Sequence, residues 1–289
     1  MKILRLLRVK HYIKNILIFF PMIFSGHSTN LSVLYRNIIG FITFSFSASI
    51  IYIFNDICDL EKDKQHPLKR KRPLAAGTIT IFQAKFIIFI LLIIIIFLSY
   101  NFNQNSIGYL IIYLCSNFIY SQGGKNIPLL DVTLLTLGYL LRLGYGGVIS
   151  ETEISNWMFL TVLSAAFYMG FGKRRNELLQ FGSNSRTCLS LYTNEFLNNS
   201  CQMFIVLTIV FYSLTCSDKT TFVARHGANF IYTVPIMILI CLRYNMILNS
   251  GNSDGDPIEI VLGDKILIIL ILFHLGISFI LLHSIENKI

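Results

Sequence analysis

Residues 55–63 read Asn55-Asp56-Ile57-Cys58-Asp59-Leu60-Glu61-Lys62-Asp63. On a helix, positions three and four apart share a face. Asp56, Asp59 and Asp63 are spaced by three and four, and Asn55 is four before Asp59. One stripe therefore carries an amide and three carboxylates. Like charges on one helix face repel unless a cation sits among them. Hard oxygen ligands in this number suit Mg²⁺, which keeps waters and shares its remaining positions with substrate phosphates. The next segment is basic: His66-Pro67-Leu68-Lys69-Arg70-Lys71-Arg72-Pro73-Leu74-Ala75-Ala76-Gly77. Two prolines bracket four consecutive cations. Carboxylates with a metal beside a stiff basic loop suit a polyphosphate, with Lys69, Arg70 and Arg72 on oxygens that the metal leaves open.

Other charged positions extend the candidate set. Lys125 follows Gly123-Gly124, a turn whose flexibility would let the ammonium approach a phosphate. Asp131 and Arg142 lie eleven residues apart in one apolar stretch, close to three helical turns and so on roughly the same face. An ionisable residue in a membrane span is costly and faces a cavity or a partner. Lys173-Arg174-Arg175 closes another apolar stretch, and Lys14 precedes the first. Each of these reads as a phosphate contact or as an orientation anchor. The six cysteines form no CxxC pair and read as small apolar side chains.

The elements that must position these groups are apolar. Of 289 residues, 54% are hydrophobic and only 13% charged. Soluble domains carry roughly 25% charged residues. That excludes an ordinary soluble protein and a disordered one. Nine stretches approach the length of a span, roughly 13–28, 37–56, 81–100, 106–121, 128–149, 156–172, 199–216, 228–248 and 264–283. The basic residues up to Lys14 and the short run after them resemble a signal peptide, but no small-residue cleavage site follows, so the run counts as the first span. The fold expected is an all-α polytopic membrane protein, one domain over residues 1–289. The net charge of +9 is unevenly placed. With the N-terminus in the cytoplasm, eighteen of the 24 Lys and Arg fall on the cytoplasmic side and four (Arg36, Lys219, Arg225, Lys288) on the other. This split predicts N-in, C-out and an odd span count.

The pattern N-D-x-x-D-x-x-x-D at the end of the second span resembles the first aspartate-rich motif of the UbiA superfamily of intramembrane prenyltransferases. The run H-P-x-K-R-x-R-P-x-A-x-G is similar to that of its decaprenyl-phosphate phosphoribosyltransferase branch. Arg8…Lys14-Asn15 resembles that branch's N-terminal motif. Tyr120-Ser121…Lys125…Pro128…Asp131 with Arg142 and Gly146-Gly147 resembles its middle motif. Gly172-Lys173-Arg174…Glu177, then Arg243-Tyr244…Asp256-Pro257-Ile258-Glu259…Asp264, resembles its later segments. The resemblance implies a UbiA-like bundle of about nine helices. It implies Mg²⁺ at Asp56, Asp59 and Asp63, with Asp131 joining the catalytic set. It further implies substrate contacts from Lys14, Asn15, Asn55, Lys69, Arg70, Arg72, Tyr120, Lys125, Lys173 and Arg174. A second DxxxD motif, carried by many members, is missing at Asp131, where Leu135 stands four positions on.

The activity implied is transfer of 5-phosphoribose from phosphoribosyl pyrophosphate to a polyprenyl phosphate, for cell-envelope polysaccharide precursors. The setting is a bacterial-type cytoplasmic membrane with the site facing the cytoplasm. The alternative is transfer of a polyprenyl group from its diphosphate to an aromatic acceptor such as 4-hydroxybenzoate. A membrane transporter is a third reading, disfavoured because the acid cluster sits at a span boundary rather than at mid-span and no internal repeat is evident. Nucleic acid is not among the expected partners, and homo-oligomers stay open.

Overall fold

The computed structural model describes residues 2–25, 30–65, 69–100, 102–182, 187–218, 228–251 and 255–283. His66, Pro67 and Leu68 of the basic run lie outside the described residues. So do Arg186, Lys219, Arg225, Asp254 and Lys288.

The described chain is helical and, among the described residues, contains no strand. This follows from its solvent: backbone groups in a bilayer must be satisfied within the segment, and a helix does that. A short helix α1 (Lys2–Leu6) leads into a 3-10 helix (Val9–Phe19) and α2 (Phe20–Phe24). Then come α3 (Leu31–Cys58), α4 (Leu60–Gln65), α5 (Ile81–Ser99), α6 (Gln104–Gln122), α7 (Leu130–Ser150) and α8 (Asn156–Phe181). The chain continues with α9 (Asn194–Ser217), α10 (Val234–Asn249), α11 (Pro257–Gly263) and α12 (Lys265–His283).

Polar caps start the long helices. Asn30 accepts from the Ser32 and Val33 amides at the head of α3, and Ser155 and Thr193 do likewise for α8 and α9. Thr80 and Gln83 form a reciprocal capping box on α5, whose apolar body then runs unbroken from Phe86 to Leu98. Six helical segments are long and apolar enough to cross a membrane: α3, α5, α7, α9, Asn229–Asn249 and Lys265–Leu282. The chain is thus a multi-pass membrane protein. The other three expected spans depart from that standard. The first is not one continuous α-helix but the 3-10 helix followed by α2, with Pro21 near the join. Helix α6 carries Gln104, Asn105, Asn117 and Gln122, and α8 ends in Lys173, Arg174, Arg175 and Glu177.

Helix α7 is central, packing against the 3-10 helix, α3, α6 and α8. Small residues allow close approach in a bilayer, where packing drives association. A Cβ on Gly146 would collide with the Ile18 carbonyl oxygen, so this glycine lets the 3-10 helix lie directly on α7. One apolar core joins Phe44, Leu91, Tyr113, Leu141 and Tyr145; a second joins Val132, Phe171, Leu197 and Leu248. Between them the helices leave a cavity open toward the loops that carry the aspartates and cations.

Candidate active site

The aspartate stripe sits where α3 meets α4. The helix breaks at Asp59, yet the register survives: the Asp59 amide donates to the Asn55 carbonyl (2.9 Å) and the Asp63 amide to the Asp59 carbonyl (2.8 Å). The side chains are engaged by three cations, one of which Asp56 and Asp63 share. Asp56, only 2% exposed, accepts from Arg8 and from Arg72 at 3.2 Å. Arg72 also donates to Asp63 at 2.6 Å through the same nitrogen. The Lys125 ammonium lies 3.0 and 3.1 Å from the two Asp59 oxygens. Asn55 accepts from the Ser121 hydroxyl.

The aspartates expected to hold a metal are thus ion-paired with cations in this structure. Among the described residues no three acidic, His or Cys side chains converge on one point. Each carboxylate has a nearer partner of opposite charge. The donor chemistry still fits a divalent ion. All the groups are hard oxygens, Asp59 is 30% exposed, and Mg²⁺ needs only one or two carboxylates when phosphates complete its shell.

The adjoining cavity is about 220 Å³ and is walled by α3, α6, α7, α8, the 3-10 helix and the start of α11. Four cations line it, Arg8, Lys14, Arg142 and Lys173, against one carboxylate, Asp256. Asp256 caps α11 by accepting from the Ile258 amide at 2.9 Å and pairs with Lys173 at 3.4 Å. Burial works to raise its pKa, but Lys14 and Lys173 outweigh it and hold the carboxyl down to about 2. His11, also on the wall, is pushed down to about 4 by burial and then by Lys14. The cavity is an electropositive chamber next to an acidic stripe.

The structure sorts the other expected residues. Asn55, Lys14, Lys173 and Tyr120 line the cavity. Asn15 is buried behind the wall, donating to Ser45 at 2.9 Å and accepting from Arg142 at 2.6 Å. Lys69 to Lys71 form a 3-10 turn with Arg70 exposed, while Arg72 turns inward to the aspartates. Asp131 and Arg174, expected in the reaction and on substrate, are both 0% exposed and bonded to each other. Arg174 further donates to Glu177 (2.6 Å) and Tyr120 (3.1 Å), and Tyr192 donates to Asp131 (2.8 Å). They brace the wall and reach the chamber through Tyr120. Asp131 and Arg142, expected on one face, take different partners.

Residues 16–257 match the model of the UbiA prenyltransferase family. The chain belongs to this family. It is 32% identical over 277 residues to the decaprenyl-phosphate phosphoribosyltransferase of Corynebacterium glutamicum, covering 93% of this chain and 83% of that protein. The enzyme of the same name from Mycolicibacterium smegmatis is 28% identical over 95% of this chain and 90% of its own. A UbiA homologue from Archaeoglobus fulgidus, solved with GPP and Mg²⁺, superposes with a TM-score of 0.75 at 18% identity, over 98% of this chain and all of that one. The last likeness concerns the fold. Membership in the family makes the chain a transferase.

Among the acidic, basic and histidine residues lining the cavity of this UbiA-family chain, three were not singled out as contacts from sequence: Arg8, His11 and Asp256. Arg8 and His11 fall in the segment that also holds Lys14 and Asn15, so the motif marked their neighbourhood. Asp256 stood in a later segment of the resemblance with no role attached. Its one local signal is the Asp-Pro step, since Pro at the first helical position makes the preceding Asp a cap.

Proposed function

We propose that the chain transfers 5-phosphoribose from phosphoribosyl pyrophosphate to a polyprenyl phosphate, releasing pyrophosphate. The carrying observation is the charge of the chamber: four lining cations against one carboxylate, with Arg72 and Lys125 beside the aspartates. Phosphoribosyl transfer brings a pyrophosphate, a 5-phosphate and an acceptor phosphate. Transfer of a prenyl group from its diphosphate to an aromatic ring brings only one pyrophosphate. The names of the actinobacterial relatives support the same choice.

In this reading Asp59, with Asp56 and Asp63 a turn to either side, would hold Mg²⁺, and Asn55 would assist. Bound there, the metal would neutralise charge on the departing pyrophosphate. Arg72 and Lys125 would move from carboxylate to phosphate oxygens as substrate arrives, exchanging one charge-assisted bond for another. The anomeric carbon loses its bond to the pyrophosphate oxygen, and the electron pair leaves with pyrophosphate. An oxygen of the lipid phosphate forms the new C–O bond. That oxygen is already anionic, so no proton must be removed and no general base is required. Tyr120, held by Arg174 through the buried pair with Asp131, would orient substrate from the wall. The asymmetry of Lys and Arg supports a chamber mouth on the cytoplasmic side, and in this reading the membrane would be a bacterial inner membrane.

The test is product analysis. Purified protein is incubated with Mg²⁺, radiolabelled phosphoribosyl pyrophosphate and polyprenyl phosphate, and the lipid phase is counted. Lipid-phase label that vanishes with EDTA and with Asp59→Asn is the expected result. Absence of label, with conversion of prenyl diphosphate and 4-hydroxybenzoate by the same preparation, overturns it.

A further inference from the structure

Arg142 sits twelve residues along α7 from Leu130, about 18 Å at the helical rise. It is the lining residue furthest along that helix, well away from the aspartate end. Its side chain is 5% exposed and lines the cavity. The guanidinium is fixed in place: Nε donates to Asn15 at 2.6 Å, one terminal nitrogen to the Gly138 carbonyl at 2.6 Å, and the other to the Tyr113 hydroxyl at 3.1 Å. Its carbon lies 5.1 Å from the Phe44 ring centre and 5.0 Å from that of Tyr113. Three of five N–H groups are used by these bonds. None of the acceptors is charged. The aromatic faces soften the cost of the charge but supply no net negative charge.

Lys14 lies beside Asn15 and lines the same chamber. Neither Lys14 nor Arg142 takes part in an ion pair among the described residues. By contrast, the other two lining cations are paired, Arg8 with Asp56 and Lys173 with Asp256. Two cations joined through one buried asparagine, with no carboxylate at salt-bridge distance among the described residues and only Asp256 acting on Lys14 from further off, are costly to keep in an apolar bundle unless an anion arrives.

We infer that Lys14 and Arg142 form a second anion subsite at the inner end of the chamber, built for the dianion of a phosphate monoester. It is separate from the aspartate stripe and leaves the pyrophosphate to that stripe. The identity of the donor and acceptor rests on the function proposed above. The subsite itself rests on the two unpaired cations. A phosphate monoester reaches it from either source, the sugar 5-phosphate or the lipid phosphate.

The experiment measures binding of two probes, ribose 5-phosphate and farnesyl monophosphate, to the purified full chain by equilibrium dialysis. Lys14→Met and Arg142→Gln are compared with wild type and with Lys85→Gln, which alters an exposed cation on α5. The expected result is a loss of about tenfold or more for one probe in both variants and none in Lys85→Gln. Loss confined to ribose 5-phosphate assigns the subsite to the sugar; loss confined to farnesyl monophosphate assigns it to the lipid. Wild type that binds neither probe, or variants that bind both as wild type does, overturns the inference. If Arg142→Gln unfolds, as thermal melting would reveal, Lys14→Met decides. Binding needs no turnover. A chain that binds a probe through these residues yet transfers no phosphoribose keeps the subsite and loses the proposed function.

Discussion

Lys125 reaches across sixty-six residues of chain to set its ammonium between the two oxygens of Asp59, 3.0 Å from one and 3.1 Å from the other. Asp59 is the most open of the three aspartates, and in the proposed reaction this pair would meet the incoming phosphate. The two partners then have separable roles. Asp59→Asn should lower kcat for lipid labelling by about 100-fold or more, because the carboxylate proposed to hold the charge-neutralising metal is lost. Lys125→Met should act mainly on the KM for phosphoribosyl pyrophosphate, raising it about tenfold. Steady-state kinetics on both variants distinguish the two; equal effects on kcat would sink the division of labour.

Metal removal should stop turnover without unfolding the chain. Arg8, Arg72 and Lys125 already neutralise the aspartates, so the folded state has no unbalanced acidic cluster to relieve. EDTA is expected to abolish lipid labelling and to leave the thermal midpoint in place. A large drop in that midpoint would mean that the ion is part of the fold.

The pair between Asp131 and Arg174 predicts a stability defect. Both groups are fully buried; losing Asp131 leaves Arg174 to Glu177, and losing Arg174 leaves the Asp131 carboxylate buried against the Tyr192 hydroxyl with its cation gone. Asp131→Asn or Arg174→Met should cost about 3–5 kcal/mol. Denaturant unfolding in detergent checks this. Activity loss in Asp131→Asn with wild-type stability would instead put Asp131 in direct contact with the chemistry.

Acidification should destabilise the chain in two steps. His11 has its pKa pushed from 6.5 to about 4, chiefly by burial. Between those values the unfolded chain binds the extra proton and the folded chain does not, so stability falls as pH drops from 6.5 toward 4. Asp256 moves the other way in charge but not in consequence. Its carboxyl is held at about 2 against an ordinary 3.8, so its contribution is complete above 3.8 and lost as pH falls to 2. Thermal midpoints across pH test both steps. His11→Gln should flatten the upper one alone.

The helical bundle and the acidic stripe were legible because both are local patterns. Runs of apolar residues report spans, and steps of three and four report a shared face. The partners of the stripe were less so. That Arg72 would bridge Asp56 and Asp63 depends on how the turn at Lys69–Lys71 folds back on α4, and that Lys125 would close on Asp59 depends on how α6 packs beside α3. Charge in a span was harder still. Asp131 and Arg142 are alike in sequence, one ionisable residue each on the same helix. One is sealed against Arg174; the other lines the chamber. Only the neighbours contributed by α8 and by the 3-10 helix separate a brace from a contact.

The close seat of Ile18 on Gly146 has a consequence for biogenesis. Lys14 and Asn15 are synthesised long before α7, yet their position depends on the flat place that Gly146 provides and on the bond from Arg142. The seat of the N-terminal arm is therefore completed only after α7 has been made. The chamber is finished in an order opposite to that of translation, and an assembly intermediate cut short before α7 would hold its basic arm against α3 without the seat that Gly146 provides.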